Sequence, residues 1–351
     1  MSWMVPLLIL SFLIFFHELG HFIAARYFGV RVDVFSIGFG KRLFTVKRGD
    51  TEYSISMIPL GGYVKMKGQD DTNPALKSYD EDSYNAKSPL QRIVILLAGP
   101  FANFLLAFIL YFIIAVGGHK TLAPVIGNIV ENSPAQIAKL QEGDKIIEID
   151  GVEILTWEDM AKKIKLSEGT INLVIERQNA LYPIVLTPKN LDTENMFKEK
   201  IKRRMIGIAP LGEQIEVNSN PIEAIGFAYK QTIKASMLIA QSLQKLIQGV
   251  VPAKELGGVV SIVQVTHQAA ESGFVALLFF TALISVNLGV LNLLPIPALD
   301  GGHIMFNIYE FITRKVPSED MLIRLTIGGW VFLIALMSLG LYNDIARIVN
   351  G

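Results

Sequence analysis

Residues 3–28 read WMVPLLILSFLIFFHELGHFIAARYF, and this stretch decides how the rest of the chain is read. Trp3 to Phe16 carries no charge, His17-Glu18-Leu19-Gly20-His21 follows, and Phe22-Ile23-Ala24-Ala25 resumes the apolar run. A helix of roughly 20 such residues crosses a bilayer, so the stretch is long enough to span one. On a helix, positions i and i+4 place both imidazoles on one face, where they can grip one zinc ion. Glu18 between them can serve as general base on the water that zinc activates. Ionisable groups are expensive in lipid, so their presence here marks a functional site, and zinc hydrolysis inside a membrane is the expectation.

The chain has 351 residues, of which 51% are hydrophobic and 18% charged. A soluble domain carries about 25% charged residues, and here the apolar excess sits in blocks, as membrane spans require. The formal net charge is zero, which argues against a nucleic-acid partner. There is no cysteine, so disulfides and thiolate metal sites are excluded and a transition metal must rest on His and carboxylates. The N-terminus lacks the basic start and small-residue cleavage site of a signal peptide, and is expected to stay as a first span.

Four segments are long and apolar enough to span: about Trp3–Phe28, Leu90–Val116, Phe274–Leu294 and Leu322–Leu341. Gly99-Pro100 is expected to break the second, or to mark a close helix approach. Lys and Arg concentrate between spans one and two (Arg31, Lys41, Arg42, Lys47, Arg48, Lys65, Lys67, Lys77, Lys87) and between three and four (Arg314, Lys315). Only Lys120 closely follows span two. The positive-inside rule then puts these loops in the cytoplasm, with both termini and segment 117–273 outside.

In the first loop, Tyr53 to Ile58 alternates polar and apolar residues, Pro59-Leu60-Gly61-Gly62 signals a turn, and Tyr63-Val64-Lys65-Met66 resumes the alternation. Segment 32–66 is therefore expected to be a small sheet with a Gly-rich bend, and 68–88 a solvated loop. The outward segment reads strand Val125–Ile129, helix Pro134–Leu140, strand Lys145–Ile149, helix Trp157–Leu166 and strands at 171–176 and 182–186. Residues 200–217 are partly strand-like. Residues 221–250 form an amphipathic helix whose apolar face includes Ile222, Ile225, Ile233 and Met237, for the membrane surface or the bundle.

A catalytic zinc site uses about three protein ligands and a water, so two histidines are not enough. His119 and His267 fall on the outer side of the spans that flank them. Asp300 is more attractive, because it ends span three as the histidines end span one, at matching depth on the cytoplasmic side. Pro295 and Pro297 exclude regular helix before it, so an extended stretch is expected there, of the kind tolerated only inside protein or along a wet cavity. Taken singly, each residue has a plainer reading. Asp300 could cap a turn, Asn292 could bond a neighbouring helix, Gly61 and Gly62 could be turn glycines, and Asn103 could be helix-packing glue. His303 has no assigned role beyond a structural hydrogen bond.

Segment 122–189 resembles a bacterial PDZ domain through Ser133-Pro134-Ala135, Gly143-Asp144-x-Ile146 and Asp150-Gly151; Lys139 stands where such domains commonly have Gly. The whole chain resembles the bacterial site-2 metalloproteases, closest to the regulator of sigma-E protease group. The resemblance is carried in order by HELGH, Phe35-Ser-Ile-Gly-Phe-Gly40, Pro59-Leu-Gly-Gly-Tyr-Val64, Gly99-Pro100-x-x-Asn103, the PDZ-like module, and Asn292-x-x-Pro-x-Pro-x-Leu-Asp-Gly301. It has one PDZ domain where the best-known enterobacterial members have two.

The resemblance implies one zinc ion held by His17, His21 and Asp300, with Glu18 as general base and Asn292 orienting the substrate backbone. It implies that the element at Gly61, Gly62 and Tyr63 pairs with unwound substrate, and that substrates are anti-sigma factors or signal-peptide remnants. It also implies a multi-pass protein of the bacterial cytoplasmic (inner) membrane. The expected fold is a polytopic α-helical membrane protein of four spans, with a membrane-associated β-element and one inserted extracytoplasmic α+β PDZ domain. Its expected divisions are 1–118, 119–190, 191–255 and 256–351. Partners are the lipid bilayer, transmembrane protein substrates, and a peptide or C-terminus at the PDZ groove. Two readings from other classes stand beside this one. A non-catalytic PDZ scaffold or sensor has no use for Glu18. A metal transporter needs a polar path, and spans two and four offer no partner carboxylate.

Overall fold

A computed structural model describes residues 4–69 and 78–350. Trp3, Lys77 and residues 70–77 of the expected polar loop lie outside the described residues. In chain order the elements are α1 (Met4–Tyr27), β1 (Val32–Arg48), β2 (Thr51–Met66), α2 (Pro89–Gly117), β3 (His119–Leu122) and β4 (Ile126–Ile129). Then come α3 (Pro134–Ile137), β5 (Lys145–Ile149), β6 (Val152–Glu153), α4 (Trp157–Leu166), β7 (Ile171–Arg177), β8 (Ala180–Leu186), β9 (Lys189–Glu194), β10 (Lys200–Met205), β11 (Ile208–Pro210) and β12 (Gln214–Val217). The chain closes with α5 (Pro221–Ile247), α6 (Val259–Glu271), α7 (Phe274–Asn292), α8 (Asp300–Thr313) and α9 (Glu319–Asn350). Among the described residues, α1, α2, α7 and residues 319–349 of α9 are long and apolar enough to cross a membrane. The protein is a helical membrane protein with some β-sheet.

The chain divides into two compact units, 1–114 with 221–351, and 115–220. The first unit is built on apolar packing between helices: Leu13 of α1, Leu106 and Ile114 of α2, and Ala282 and Val286 of α7 share one core. One expectation is corrected here. Helix α2 is not broken at Gly99-Pro100 but runs through Pro100, because a proline removes one rung of the ladder and burial of the adjoining turns holds the rest. Helix α5 turns the small residues Ala224, Ala228, Thr232 and Ala235 to the protein, with Phe227 packed beside them, while Ile222, Ile225, Ile233 and Met237 point outward. Small residues let helices approach closely in lipid, and large apolar ones need no protein cover there.

Strands β1 and β2 form one long hairpin that folds back on itself. Val34 pairs with both Lys65 and Glu52, and Phe35 with both Val64 and Tyr53. The antiparallel order is therefore 62–66, 32–37, 51–55, 44–48, and residues 62–66 form an outer strand. Between α7 and α8, residues 293–299 are a chain of tight turns rather than the extended stretch expected, with Ile296 N–H donating to Leu294 O at 2.7 Å. Two prolines withhold N–H groups, so turns satisfy what remains. Asp300 accordingly opens a new helix, α8, instead of closing the third span.

The second unit has a four-stranded antiparallel sheet in the order β6-β5-β7-β8. Ile146, Ile149, Leu173 and Ile175 of the sheet pack on Met160 and Ile164 of α4. Thr156 caps α4 by accepting from Asp159 N–H at 3.1 Å. Strands β9 and β10 pair with each other, β11 pairs with β4, and β12 with β3. Lys139 takes φ +58°, the left-handed geometry that favours glycine.

Candidate metal centre

The site is assembled across three helices of the first unit. Helix α1 carries HELGH, and its Gly20 lies so close to α2 that a methyl group there would fall 2.2 Å from Ala98 O. This contact brings the imidazoles against α2. His21 Nδ1 donates to Ile95 O at 2.9 Å, and His17 Nδ1 lies 3.1 Å from the side-chain amide of Asn103. From α8, Asp300 Oδ2 comes within 3.1 Å of His17 Nε2 and 3.4 Å of His21 Nε2. The two Nε2 atoms are 3.2 Å apart.

These three atoms form a nearly regular triangle. Zinc with bonds of about 2.0–2.1 Å needs tetrahedral edges of about 3.3–3.4 Å between its ligand atoms, and the observed edges agree. Asp300 Oδ2 is buried, yet it accepts no well-formed hydrogen bond although two imidazole nitrogens are beside it. A buried carboxylate oxygen left so is costly unless a cation fills the space. Two imidazoles and one carboxylate, with no thiolate, are also a donor set suited to hydrolytic zinc with an open fourth position. Among the described residues this is the only group of His, Asp and Glu placed to hold a metal.

The triangle opens on a cavity of about 680 Å³. Glu18, Asn292, Gly61, Gly62 and Tyr63 line it, so the structure gathers every residue expected at the site. Asn292 Nδ2 is 3.4 Å from His17 Nε2. Gly62, on the outer strand, is a position where a methyl group would fall 2.9 Å from Ser36 O and 3.2 Å from Glu18 Cγ. Glycine there lets the strand lie directly against the acid. His303 lines the cavity without being a ligand. His267 pairs with Glu271 on α6 at 3.4 Å, and His119 sits on β3 opposite Val217, where burial lowers its pKa.

Sequence reasoning tied two residues of the centre to helix geometry and packing rather than to the metal. Gly99 has no space for a side chain, since a methyl group would fall 2.3 Å from His21 Nε2. Asn103 is fully buried against His17. Their signal was the motif Gly99-Pro100-x-x-Asn103, one helical turn that faces the histidines. Behind it, Arg92 of α2 and Glu310 of α8 form a largely buried ion pair at 2.6 Å, which ties the helix bearing Asp300 to the helix behind the imidazoles.

Comparison with known proteins gives a consistent result. The sequence profile described as Peptidase family M50 matches residues 5–336. A provisionally named zinc metalloprotease of Campylobacter jejuni is 46% identical over 349 residues, covering 99% of this chain and 94% of that one. One from Helicobacter pylori is 42% identical over 355 residues, covering 99% and 100%. One from Clostridium acetobutylicum is 35% identical over 347 residues, covering 99% and 98%.

Proposed function

The chain belongs to peptidase family M50 and is a zinc metalloendopeptidase, and from that footing we propose that it cuts peptide bonds inside the transmembrane segments of single-span proteins. One observation carries the proposal. A zinc-sized triangle of His17, His21 and Asp300, with Glu18 beside it, lies in a cavity of the unit that holds the four apolar helices.

In this reading His17, His21 and Asp300 hold the ion. Bound zinc supplies Lewis acidity, polarising the scissile carbonyl and making water a nucleophile near neutral pH. Glu18 takes the proton from that water and delivers it to the departing amine nitrogen. Asn292, at the end of α7 and facing the cavity, donates from its amide to the substrate backbone and sets its register at the metal.

A transmembrane substrate arrives as a helix whose peptide groups are already hydrogen-bonded, and it must be extended before it can be cut. Unwound backbone then needs partners in a medium without water. Residues 62–66 pair with β1 and form an edge of that sheet beside the cavity. Substrate adds to that edge, at Gly61, Gly62 and Tyr63, beside Glu18. In the same sheet Phe44, Val46, Ile55 and Met57 are exposed together, as a sheet resting on lipid would present them.

The basic loops favour an arrangement with this sheet and the metal centre toward the cytoplasm of a bacterial inner membrane. The termini and the 115–220 unit then lie outside. That unit has the element order of a PDZ domain, and β11 pairs with β4 alone among the described residues, so its other edge is open to a peptide or new C-terminus. Anti-sigma factors and signal-peptide remnants are substrates of the right form. A scaffold role would leave Glu18 at the metal centre without purpose.

The test uses the full chain in proteoliposomes with a tagged single-span substrate. Native enzyme should cut within the apolar segment, as mapped by product masses, and Glu18→Gln should bind zinc but not cut. Cleavage confined to soluble flanks, or undiminished in Glu18→Gln, would overturn the reading.

A further inference from the structure

We propose that Asn103 is the positioning residue of His17: its side-chain oxygen accepts from Nδ1–H and so holds Nε2, bare of hydrogen, toward the metal. The proposal rests on the ligand set given above.

A neutral imidazole carries one N–H, and a ligating nitrogen must be the other one. For His21 the assignment is forced. Its Nδ1 is 2.9 Å from Ile95 O, a carbonyl that can only accept, so Nδ1 bears the hydrogen and Nε2 is bare. For His17 the partner is the Asn103 side-chain amide, placed with Nδ2 3.1 Å from Nδ1; turned over, the same amide accepts through oxygen instead. The two ends of an amide have the same shape, so the choice is made by hydrogen bonding.

With the amide nitrogen toward the ring, Nδ1 must offer its lone pair and the hydrogen moves to Nε2. That hydrogen would point into the triangle, between His21 Nε2 and Asp300 Oδ2, where the metal belongs. With the oxygen toward the ring, Nδ1–H is satisfied and all three ligand atoms present lone pairs to one point. Only the second arrangement is compatible with zinc.

Asn103 is anchored for this task. It is 0% exposed, and Ser285 Oγ of α7 donates to its backbone carbonyl at 2.8 Å. Helix α2 therefore orients both imidazoles, His21 through a backbone carbonyl and His17 through a buried side chain whose own backbone is bonded by α7. Such outer partners fix the tautomer and ring angle of metal-bound histidines. A packing role alone would be indifferent to which end of the amide faced the ring, and to zinc.

The experiment measures zinc affinity of the full-length chain in detergent, by competition with a fluorescent chelator, for the native protein and for Asn103→Ala, Asn103→Asp and His17→Ala. Cobalt-substituted absorption spectra are recorded in parallel, and thermal unfolding of each apoprotein reports the fold. Asn103→Ala should bind zinc about 10–100-fold more weakly and show an altered cobalt spectrum. Asn103→Asp can accept from Nδ1–H but cannot donate to it, and should keep native affinity and spectrum. Native affinity in Asn103→Ala, with zinc lost in His17→Ala, overturns the role of Asn103 alone. Native affinity in His17→Ala overturns the ligand set and the proposal with it. If Asn103→Ala fails to fold, Asn103→Asp decides: zinc loss in the folded Asp variant overturns the proposal, and retention supports it.

Discussion

Gly99 of α2 faces His21 so closely that a single methyl group on it would fall 2.3 Å from the nitrogen assigned to the metal. The helix packing and the metal centre are therefore one contact. Gly99→Ala should weaken zinc binding by at least about 10-fold, because His21 must swing away to admit the methyl group. Alanine favours a helix over glycine by about 0.5–1 kcal/mol, so the apoprotein should unfold at nearly the native temperature. Zinc titration beside thermal unfolding of the apoprotein checks both parts.

Gly62 lies against Glu18 from the opposite side. Gly62→Ala should leave zinc affinity unchanged, since no ligand moves, while displacing the outer strand and the acid together. Cleavage of a transmembrane substrate should fall about 10-fold or more, the size expected when general-base geometry is lost. Equal losses of zinc and activity would show that the strand supports the metal instead.

The Arg92–Glu310 pair is removed from most solvent, with side chains 12% and 17% exposed. Breaking a buried pair strands a charge and costs about 3–5 kcal/mol, whereas replacing both members by apolar residues is often close to neutral. Arg92→Met and Glu310→Gln should each lower the unfolding temperature in detergent. Arg92→Met with Glu310→Leu should recover most of the loss. Because Glu310 shares α8 with Asp300, the single variants should also release zinc faster.

Lys139 holds a left-handed backbone angle at the end of a short helix. A non-glycine residue there costs roughly 1 kcal/mol, partly offset by the entropy glycine loses on folding. Lys139→Gly should therefore stabilise the 115–220 unit by up to about 1 kcal/mol, read as slower hydrogen exchange in β7 of the full chain. Arg177 Nη2 bonds the Lys139 carbonyl, not its side chain, so that contact survives.

Much of this could be read from the sequence because the signals were local. Residues four apart put His17 and His21 together wherever the helix goes, and a run of apolar residues long enough to span is visible without knowing its neighbours. The double proline at 295 and 297 announced irregular backbone, although not that a new helix would start at Asp300. Gly99 and Asn103 were harder. A glycine or asparagine in an apolar helix has several uses, and which one applies depends on the side chains facing it from α1. Strand β9, polar or charged at every position but Leu191, gives no apolar alternation to read.

The centre draws on α1, α2 and the far end of α7 with α8, and Asn292 stands 275 residues beyond His17. A ribosome delivers these pieces in that order. The two histidines enter the membrane early, and on the ligand set proposed here nothing completes their grip on zinc until Asp300 has been translated. A half-made chain therefore carries the signature motif without the activity, and destructive capacity appears only once Asp300 has joined the histidines.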